Sequence, residues 1–136
     1  ALKKKEREAG TSMLSGVPRQ MPALAYAYDI QKRVARVGFD WEDIEGNIDK
    51  ITEEVREIWQ AESRAEKEEE YGDLLFTIAN IIRRDGIDPE TALRNANAKF
   101  YKRFARMEEL CHERGIDFTK LKFEEQNRLW DEAKKG

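Results

Sequence analysis

Apolar residues recur every three to four positions along most of the chain, which is the spacing of amphipathic helices. The first such stretch predicts a helix from near Pro22 to Arg36, ended by Gly38. Residues 10–22 before it carry two glycines and two prolines, a composition that breaks helices. We therefore expect a surface loop there, with regular structure beginning near Pro22.

Two further stretches predict the clearest amphipathic helices. Asp40 is placed to cap the second helix, and Gly86 follows the end of the third. Polar residues over positions 60–65 predict the turn between them. The apolar positions are Ile44, Ile48, Ile51, Val55 and Ile58 in the second helix, and Tyr71, Leu74, Leu75, Ile78, Ile81 and Ile82 in the third.

The last part of the chain predicts two more helices. Asp88 followed by Pro89 is a helix start signal, and Gly115 ends the long fourth helix. Residues 116–121 form a connection, and residues 123–134 form a short fifth helix. Since no stretch has the pattern of a strand, we predict an all-α protein, an antiparallel bundle of about five helices.

Composition supports one helix-rich domain. The chain has 136 residues, of which 40% are hydrophobic and 39% charged. Residues 1–15 read as a charged tail or linker, and residues 16–136 as the folded domain.

The formal net charge of −3 gives no global positive field to attract nucleic acid, and no long apolar run suggests a membrane span. We expect a cytoplasmic protein that binds neither a nucleic-acid polymer nor a membrane.

Two pairs of acidic residues stand out on the second and third helices. Glu54 and Glu57 are three residues apart, as are Glu70 and Asp73, so each pair lies on one helix face. Four carboxylates without a nearby histidine or cysteine favour Mg²⁺ or Mn²⁺ over zinc. The alternative is that these acids are only a solvated helix face.

Two other kinds of site fit the sequence poorly. A di-iron site in a helical bundle generally needs two Glu-x-x-His motifs, and this chain has a single histidine, His112, three residues after Glu109. The single cysteine, Cys111, has no evident catalytic partners and is interpreted as a small core residue.

Basic and aromatic residues supply candidates for binding a phosphorylated ligand. Lys99 and Arg103 are four residues apart on the predicted fourth helix, where they would suit a polyphosphate beside a metal. The alternative, which the sequence alone favours slightly, is that these residues only pair with surface acids. Trp41 and Trp130 are ordinarily packing residues, although either could stack on a base.

An ordered series of motifs resembles the MazG nucleoside triphosphate pyrophosphohydrolases, which belong to the all-α NTP pyrophosphatases. The resemblance covers most of the chain. Its motifs are residues 16–18 (GVP), 30–33 (IQKR), 37–41 (VGFDW), 53–57 (EEVRE), 69–76 (EEYGDLLF) and 97–100 (NAKF), with Asn80, Arg103, Phe104 and Trp130.

This resemblance implies hydrolysis of a nucleoside triphosphate between its α and β phosphates, which releases a nucleoside monophosphate and pyrophosphate. It implies Mg²⁺, with Mn²⁺ as a possible substitute, on Glu54, Glu57, Glu70 and Asp73. Glu53 or one of these four would activate the attacking water.

The resemblance also implies substrate-binding residues and an assembly. Lys99 and Arg103 match triphosphate-binding positions, and Trp130 matches a position near the nucleotide. Trp41 and Asn80 are further candidates for the nucleotide pocket. A homodimer is implied, and the chain reads as the C-terminal catalytic half of a tandem protein that clears several triphosphates. The alternative function is a non-catalytic helical dimerisation or interaction module.

Overall fold

The computed structural model describes residues 12–40 and 44–136, and within them it contains five α-helices, one short 3₁₀ turn and no strand. This confirms the prediction of an all-α protein. The predicted linker lies mostly outside the described residues, and so does Trp41. The elements are α1 (Ala23–Arg36), α2 (Ile44–Gln60), α3 (Arg64–Arg84), α4 (Pro89–Arg114), the 3₁₀ turn (Phe118–Lys120) and α5 (Phe123–Lys134).

Glycines end three of the helices where the sequence predicts it. Gly38, Gly86 and Gly115 follow α1, α3 and α4 with φ values of 90°, 78° and 65°, a region that is open to glycine but strained for other residues. Pro89 is the first residue of α4, also as predicted.

The start of α3 lies inside the segment predicted to be a turn. Arg64 is its first residue, and the Ser63 hydroxyl caps it by accepting a hydrogen bond from the Glu66 backbone N–H at 3.1 Å. The Glu66 side chain accepts one from the Glu62 N–H at 3.1 Å. Ser63 and Glu66 thus carry a capping signal that predicts an earlier start than apolar spacing does. The connection between α2 and α3 is three residues long.

The chain divides into two compact units, the first ending at Glu90 and the second comprising Thr91–Gly136. The prediction of a single domain over residues 16–136 remains a prediction. In the first unit, α3 packs against both α1 and α2. Its buried side chains include Val17, Ile58 and Ala79, together with four polar ones, Gln31, Glu54, Thr77 and Asn80. Burying polar groups costs free energy unless partners satisfy them, so these four mark positions with a specific role.

The loop before α1 is attached to that helix through Arg33. The Arg33 guanidinium donates a hydrogen bond to the Met13 carbonyl at 3.1 Å. A Cβ at Gly16 would lie 2.9 Å from Arg33 Nη1, so a larger residue there would require the Arg33 guanidinium to shift. Val17 is buried beside it. This arrangement fixes the predicted surface loop against α1.

Several apolar positions predicted to be buried are instead exposed in the chain. Ile48 and Val55 on α2 are 57% and 38% exposed, and Tyr71 and Leu75 on α3 are 54% and 56% exposed. Helical spacing selects a face but does not say what covers it. Trp59 on α2 is 84% exposed, so this helix pair presents a substantial apolar surface.

The second unit has an apolar core between α4 and α5. Phe104, Phe118, Leu121 and Trp130 pack against a buried cluster. Cys111 is in that cluster, which confirms its interpretation as a core residue. The cluster consists of Met107, Leu110, Cys111, Leu129 and Ala133.

Candidate functional site

Glu54 is a buried carboxylate on α2. Its residue exposure is only 5%, and its Oε1 accepts a hydrogen bond from the Thr77 hydroxyl of α3 at 3.3 Å. Lys50, one turn earlier on α2, places Nζ 3.7 Å from the same oxygen. The other oxygen, Oε2, is buried and has no hydrogen-bond partner among the described residues. A buried carboxylate oxygen without a partner is costly, and a ligand at this oxygen would offset the cost.

Glu57 and Glu70 meet across the helix pair. The hydrogen bond between their side chains is the largest influence on Glu70 and raises its pKa above the ordinary value. Burial and the negative charges of Glu57, Asp73 and Glu69 act in the same direction. Two carboxyl groups in contact repel each other when both are charged, and a divalent cation is a species that such a pair accommodates.

The four predicted ligands are therefore only partly assembled. Glu57 and Glu70 are in contact, while Glu54 is bonded to Thr77. In the part of the chain that the structure describes, no three His, Cys, Asp or Glu side chains form a ready-made cation site. The donors match Mg²⁺ or Mn²⁺ in kind, because they are all carboxylate oxygens. Side-chain rotations would be needed to bring more than two of them onto one cation.

Thr77 lies on the same face of α3 as Glu70 and Asp73, but it was not identified as a site residue from the sequence. It is 2% exposed and lies four residues after Asp73 and seven after Glu70, which places all three on one side of α3. That spacing was available in the sequence as a signal. Its hydroxyl meets Glu54 because α2 and α3 run antiparallel through a short connection.

The predicted phosphate-binding residues lie in the second unit, on α4. Lys99 is exposed and Arg103 is partly buried. The Arg103 guanidinium carbon lies 5.7 Å from the centre of the Trp130 ring, and Lys134 Nζ lies 6.0 Å from the same centre. The Phe100 ring is 5.4 Å from that of Trp130. Arg103 and Trp130 are thus neighbours, as a shared ligand site would require within this unit.

The other candidates have different surroundings. Glu53 is exposed on α2, where it could reach solvent and a water molecule. Asn80 is 3% exposed and lines a cavity of about 360 Å³ in the first unit. Gln31 lines the same cavity and was not proposed as a site residue from the sequence.

Comparison with known proteins points to one family, although no family model matches the chain. The nucleoside triphosphate pyrophosphohydrolase/pyrophosphatase MazG of Thermotoga maritima is 44% identical over 126 residues, which are 93% of this chain and 49% of that protein. The nucleoside triphosphate pyrophosphohydrolase of Escherichia coli K12 is 40% identical, over 98% of this chain and 54% of that protein. An uncharacterized protein of Bacillus subtilis, YabN, is also 40% identical, but the match is 28% of its length.

The match extends over almost the whole chain, whereas the chain spans about half the length of the two named pyrophosphohydrolases. At 40–44% identity over 126 residues or more, the similarity cannot come from a short acidic motif alone. Over almost its whole length the chain is similar to the MazG nucleoside triphosphate pyrophosphohydrolases, and it corresponds to about half of those relatives.

Proposed function

We propose that this protein hydrolyses nucleoside triphosphates to nucleoside monophosphate and pyrophosphate in the presence of Mg²⁺. The observation that carries the proposal is the meeting of α2 and α3, where Glu57 contacts Glu70 and Glu54 holds a buried, unpartnered oxygen. A purely structural helix pair gains nothing from these features, since both weaken packing. The names of the two relatives, both nucleoside triphosphate pyrophosphohydrolases, support this reaction.

The residues divide into two roles. Glu54, Glu57, Glu70 and Asp73 would hold Mg²⁺, which supplies positive charge against the oxygens of the triphosphate. Glu53, or one of those four, orients the attacking water and takes its proton. The water oxygen bonds to the α phosphorus as the bond from that phosphorus to the leaving pyrophosphate breaks.

Lys99 and Arg103 form the proposed phosphate-binding side. Their cationic groups would bind the triphosphate and offset the charge that develops on pyrophosphate. Trp130, whose ring lies under the Arg103 guanidinium, would be near the nucleoside. A guanidinium held over an aromatic ring loses less freedom on binding phosphate than a free side chain does.

A product assay tests the reaction. The protein is incubated with Mg²⁺ and either a purine or a pyrimidine triphosphate, and the products are separated by anion exchange. Monophosphate with pyrophosphate is expected from both substrates, as a house-cleaning enzyme would give. Diphosphate with free phosphate, or no turnover, would reject the proposal.

The apolar surface of α2 and α3 supports a proposed homodimer. Val55 and Trp59 are four residues apart, as are Tyr71 and Leu75, and all four are exposed in the single chain. A second copy covering them would remove apolar surface from water. We expect Trp59→Glu to shift the mass measured by light scattering from dimer to monomer. A wild-type chain that is monomeric at micromolar concentration would refute the homodimer.

None of the described helices has the length and apolar character needed to cross a membrane.

A further inference from the structure

Thr77 is a buried residue of α3 whose hydroxyl group bonds to the neighbouring helix. It is 2% exposed, and its hydroxyl donates to Glu54 Oε1 of α2 at 3.3 Å. Thr52 of α2 shows the common alternative, because its hydroxyl donates to the Ile48 carbonyl four residues earlier in the same helix. A hydroxyl group has a single hydrogen, so Thr77 donates to α2 instead of to its own helix. The Thr77 side chain therefore acts on a residue of α2.

Glu54 is the only buried residue among the four proposed metal ligands. Glu57 and Asp73 are exposed, and Glu70 is half-buried. An exposed carboxylate can adopt several conformations in water, whereas a buried one has fewer conformations and lacks water as a partner. The groups that contact Glu54 inside the protein therefore determine where its carboxylate lies.

The two oxygens of the Glu54 carboxylate have different surroundings. Oε1 accepts the hydrogen bond from Thr77, and Lys50 Nζ lies 3.7 Å from the same atom. Oε2 has no hydrogen-bond partner among the described residues. A carboxylate that is held through one oxygen keeps the lone pairs of the other for a cation. Because the Lys50 side chain is 45% exposed and Thr77 is buried, Thr77 is the more rigidly held of the two partners.

The bond from Thr77 lies on the side of α3 that carries the other acidic pair. Thr77 follows Asp73 by four residues and Glu70 by seven, so these three share one side of the helix. Glu70 is in contact with Glu57 of α2, which is three residues after Glu54. Thr77 therefore holds the Glu54 carboxylate on the same side of α3 as Glu70 and Asp73.

We propose that Thr77 is a positioning residue for the metal-dependent reaction, because its hydroxyl holds Glu54 in the conformation that binds Mg²⁺. The proposal rests on the proposed function, since it takes Glu54 as a metal ligand. Carboxylates that bind metals are commonly held by a further hydrogen bond, and losing that partner typically costs about 10- to 100-fold in metal affinity or activity. In this role Thr77 acts through Glu54 and does not itself contact the metal or the substrate.

The test measures metal affinity without substrate, so that it does not depend on hydrolysis. Mn²⁺ is titrated into the protein, and the electron paramagnetic resonance signal of the free ion gives the dissociation constant. Thr77→Val removes the hydroxyl at nearly constant volume and should weaken Mn²⁺ binding about tenfold. Thr77→Ala also lacks the hydroxyl and should show a similar loss. Thr77→Ser keeps the donor and should bind Mn²⁺ within about twofold of wild type.

A double-mutant cycle shows whether Thr77 acts through Glu54. Glu54→Gln alone should weaken Mn²⁺ binding, because an amide oxygen is a poorer ligand for a hard cation. Adding Thr77→Val to Glu54→Gln should cause no further loss, whereas independent effects would multiply. In turnover assays, Thr77→Val should raise the Mg²⁺ concentration needed for half-maximal rate more than it lowers the rate at saturating Mg²⁺.

Two controls separate positioning from a general loss of stability. Ile58→Val removes one methyl group from a buried position of α2 and destabilises the protein without removing a hydrogen-bond donor. Thr52→Val removes an exposed hydroxyl from the same helix. Neither change should alter Mn²⁺ affinity. Far-ultraviolet circular dichroism of every variant confirms that the helices are formed.

Each result decides the proposal. Equal Mn²⁺ affinity in wild type and in the folded Thr77→Val or Thr77→Ala variant would overturn it, and so would a wild-type protein that binds no Mn²⁺. A loss in Ile58→Val as large as that in Thr77→Val, or a further loss in the double variant, would also overturn it, because Thr77 would then not act through Glu54. If Mn²⁺ affinity changes as expected and no triphosphate is hydrolysed, the proposed function fails while the role of Thr77 stands.

Discussion

The Thr77 hydroxyl of α3 donates a hydrogen bond to Glu54 Oε1 of α2 over 3.3 Å, with both residues at most 5% exposed. This bond joins the two helices at the buried end of the acidic face. It also holds one oxygen of Glu54 and leaves the other without a partner in the described chain. Thr77 therefore has a stabilising role that can be measured separately from any catalytic one.

Thr77→Val should lower the free energy of unfolding by about 1 to 3 kcal/mol. Valine fills nearly the same space but leaves Glu54 Oε1 without its donor in a buried place. The measurement is urea unfolding followed by circular dichroism. Thr52→Val is the matched control. The exposed Thr52 hydroxyl donates a hydrogen bond to the Ile48 carbonyl of its own helix at 3.3 Å. Its replacement should change the free energy of unfolding by less than about 0.5 kcal/mol. Equal effects of the two changes would show that the bond to Glu54 contributes nothing.

Glu54→Gln and Asp73→Asn should each abolish Mg²⁺-dependent turnover. Each variant removes one negative charge from the proposed metal ligands while keeping the side-chain size, and amide oxygens bind a hard cation more weakly. Helicity should be unchanged or slightly higher, because each change also removes like-charge repulsion. Turnover and far-ultraviolet circular dichroism are measured on the same preparations. Activity retained by both variants would refute the assignment of these ligands.

Lys99→Ala should weaken triphosphate binding or turnover while leaving Mg²⁺ binding largely intact. Lys99 is exposed on α4 and is proposed to contact phosphate rather than metal. The measurements are kcat/KM at low substrate and Mg²⁺ affinity by calorimetry. Lys120→Ala removes an exposed lysine from the same unit and serves as the control. An unchanged kcat/KM in Lys99→Ala would argue against a phosphate contact.

The ion pair between Arg114 and Glu132 should make the stability of the second unit depend on acid pH. Arg114 donates from Nη1 to Glu132 Oε2 at 3.0 Å and from Nη2 to Oε1. These hydrogen bonds lower the pKa of Glu132 below its ordinary value. A carboxyl group whose pKa is lower in the folded state stabilises the fold above its unfolded pKa, about 4.3, and loses that contribution as pH falls through the folded value.

The measurement is thermal unfolding of wild type and Glu132→Gln between pH 7 and pH 3. Wild type should be the more stable at pH 7, by a small margin because the pair is exposed, and the difference should disappear toward pH 3. Arg114→Met and the double variant complete a mutant cycle that isolates the pair. A difference that is independent of pH would show that Glu132 contributes by packing and not by its charge.

The helices themselves could be predicted from local sequence. Pro89 begins α4 and Gly38 ends α1 because their backbone preferences act within a few residues. The capping pair Ser63 and Glu66 is equally local, and including it would have placed the start of α3 correctly. The spacing of Glu54, Glu57, Glu70 and Asp73 likewise follows from helix geometry, and the family resemblance was available from the order of the motifs.

Contacts between helices required the tertiary structure. Helical spacing put Glu54 at the edge of an apolar stripe, but only the packing of α3 buries it and brings Thr77 to it. The predicted role of Asp40 as a helix cap involves residues outside the described ranges and stays a prediction, whereas the contact of its carboxylate with Arg83, 43 residues later, is a tertiary one. The Gln31 amide of α1 donates to the Phe76 carbonyl of α3, a partner that it meets only when these two helices are packed.

The sequence by itself thus determined the all-α class, the helix ends and which acids share a helix face, because these depend on interactions within one or two helical turns. The tertiary structure alone decided that Glu54 is buried against Thr77, that Glu57 meets Glu70, and that the Gln31 amide of α1 donates to the Phe76 carbonyl of α3. Those relationships join residues distant in sequence, and such pairings are set by how whole helices pack, which no local pattern encodes.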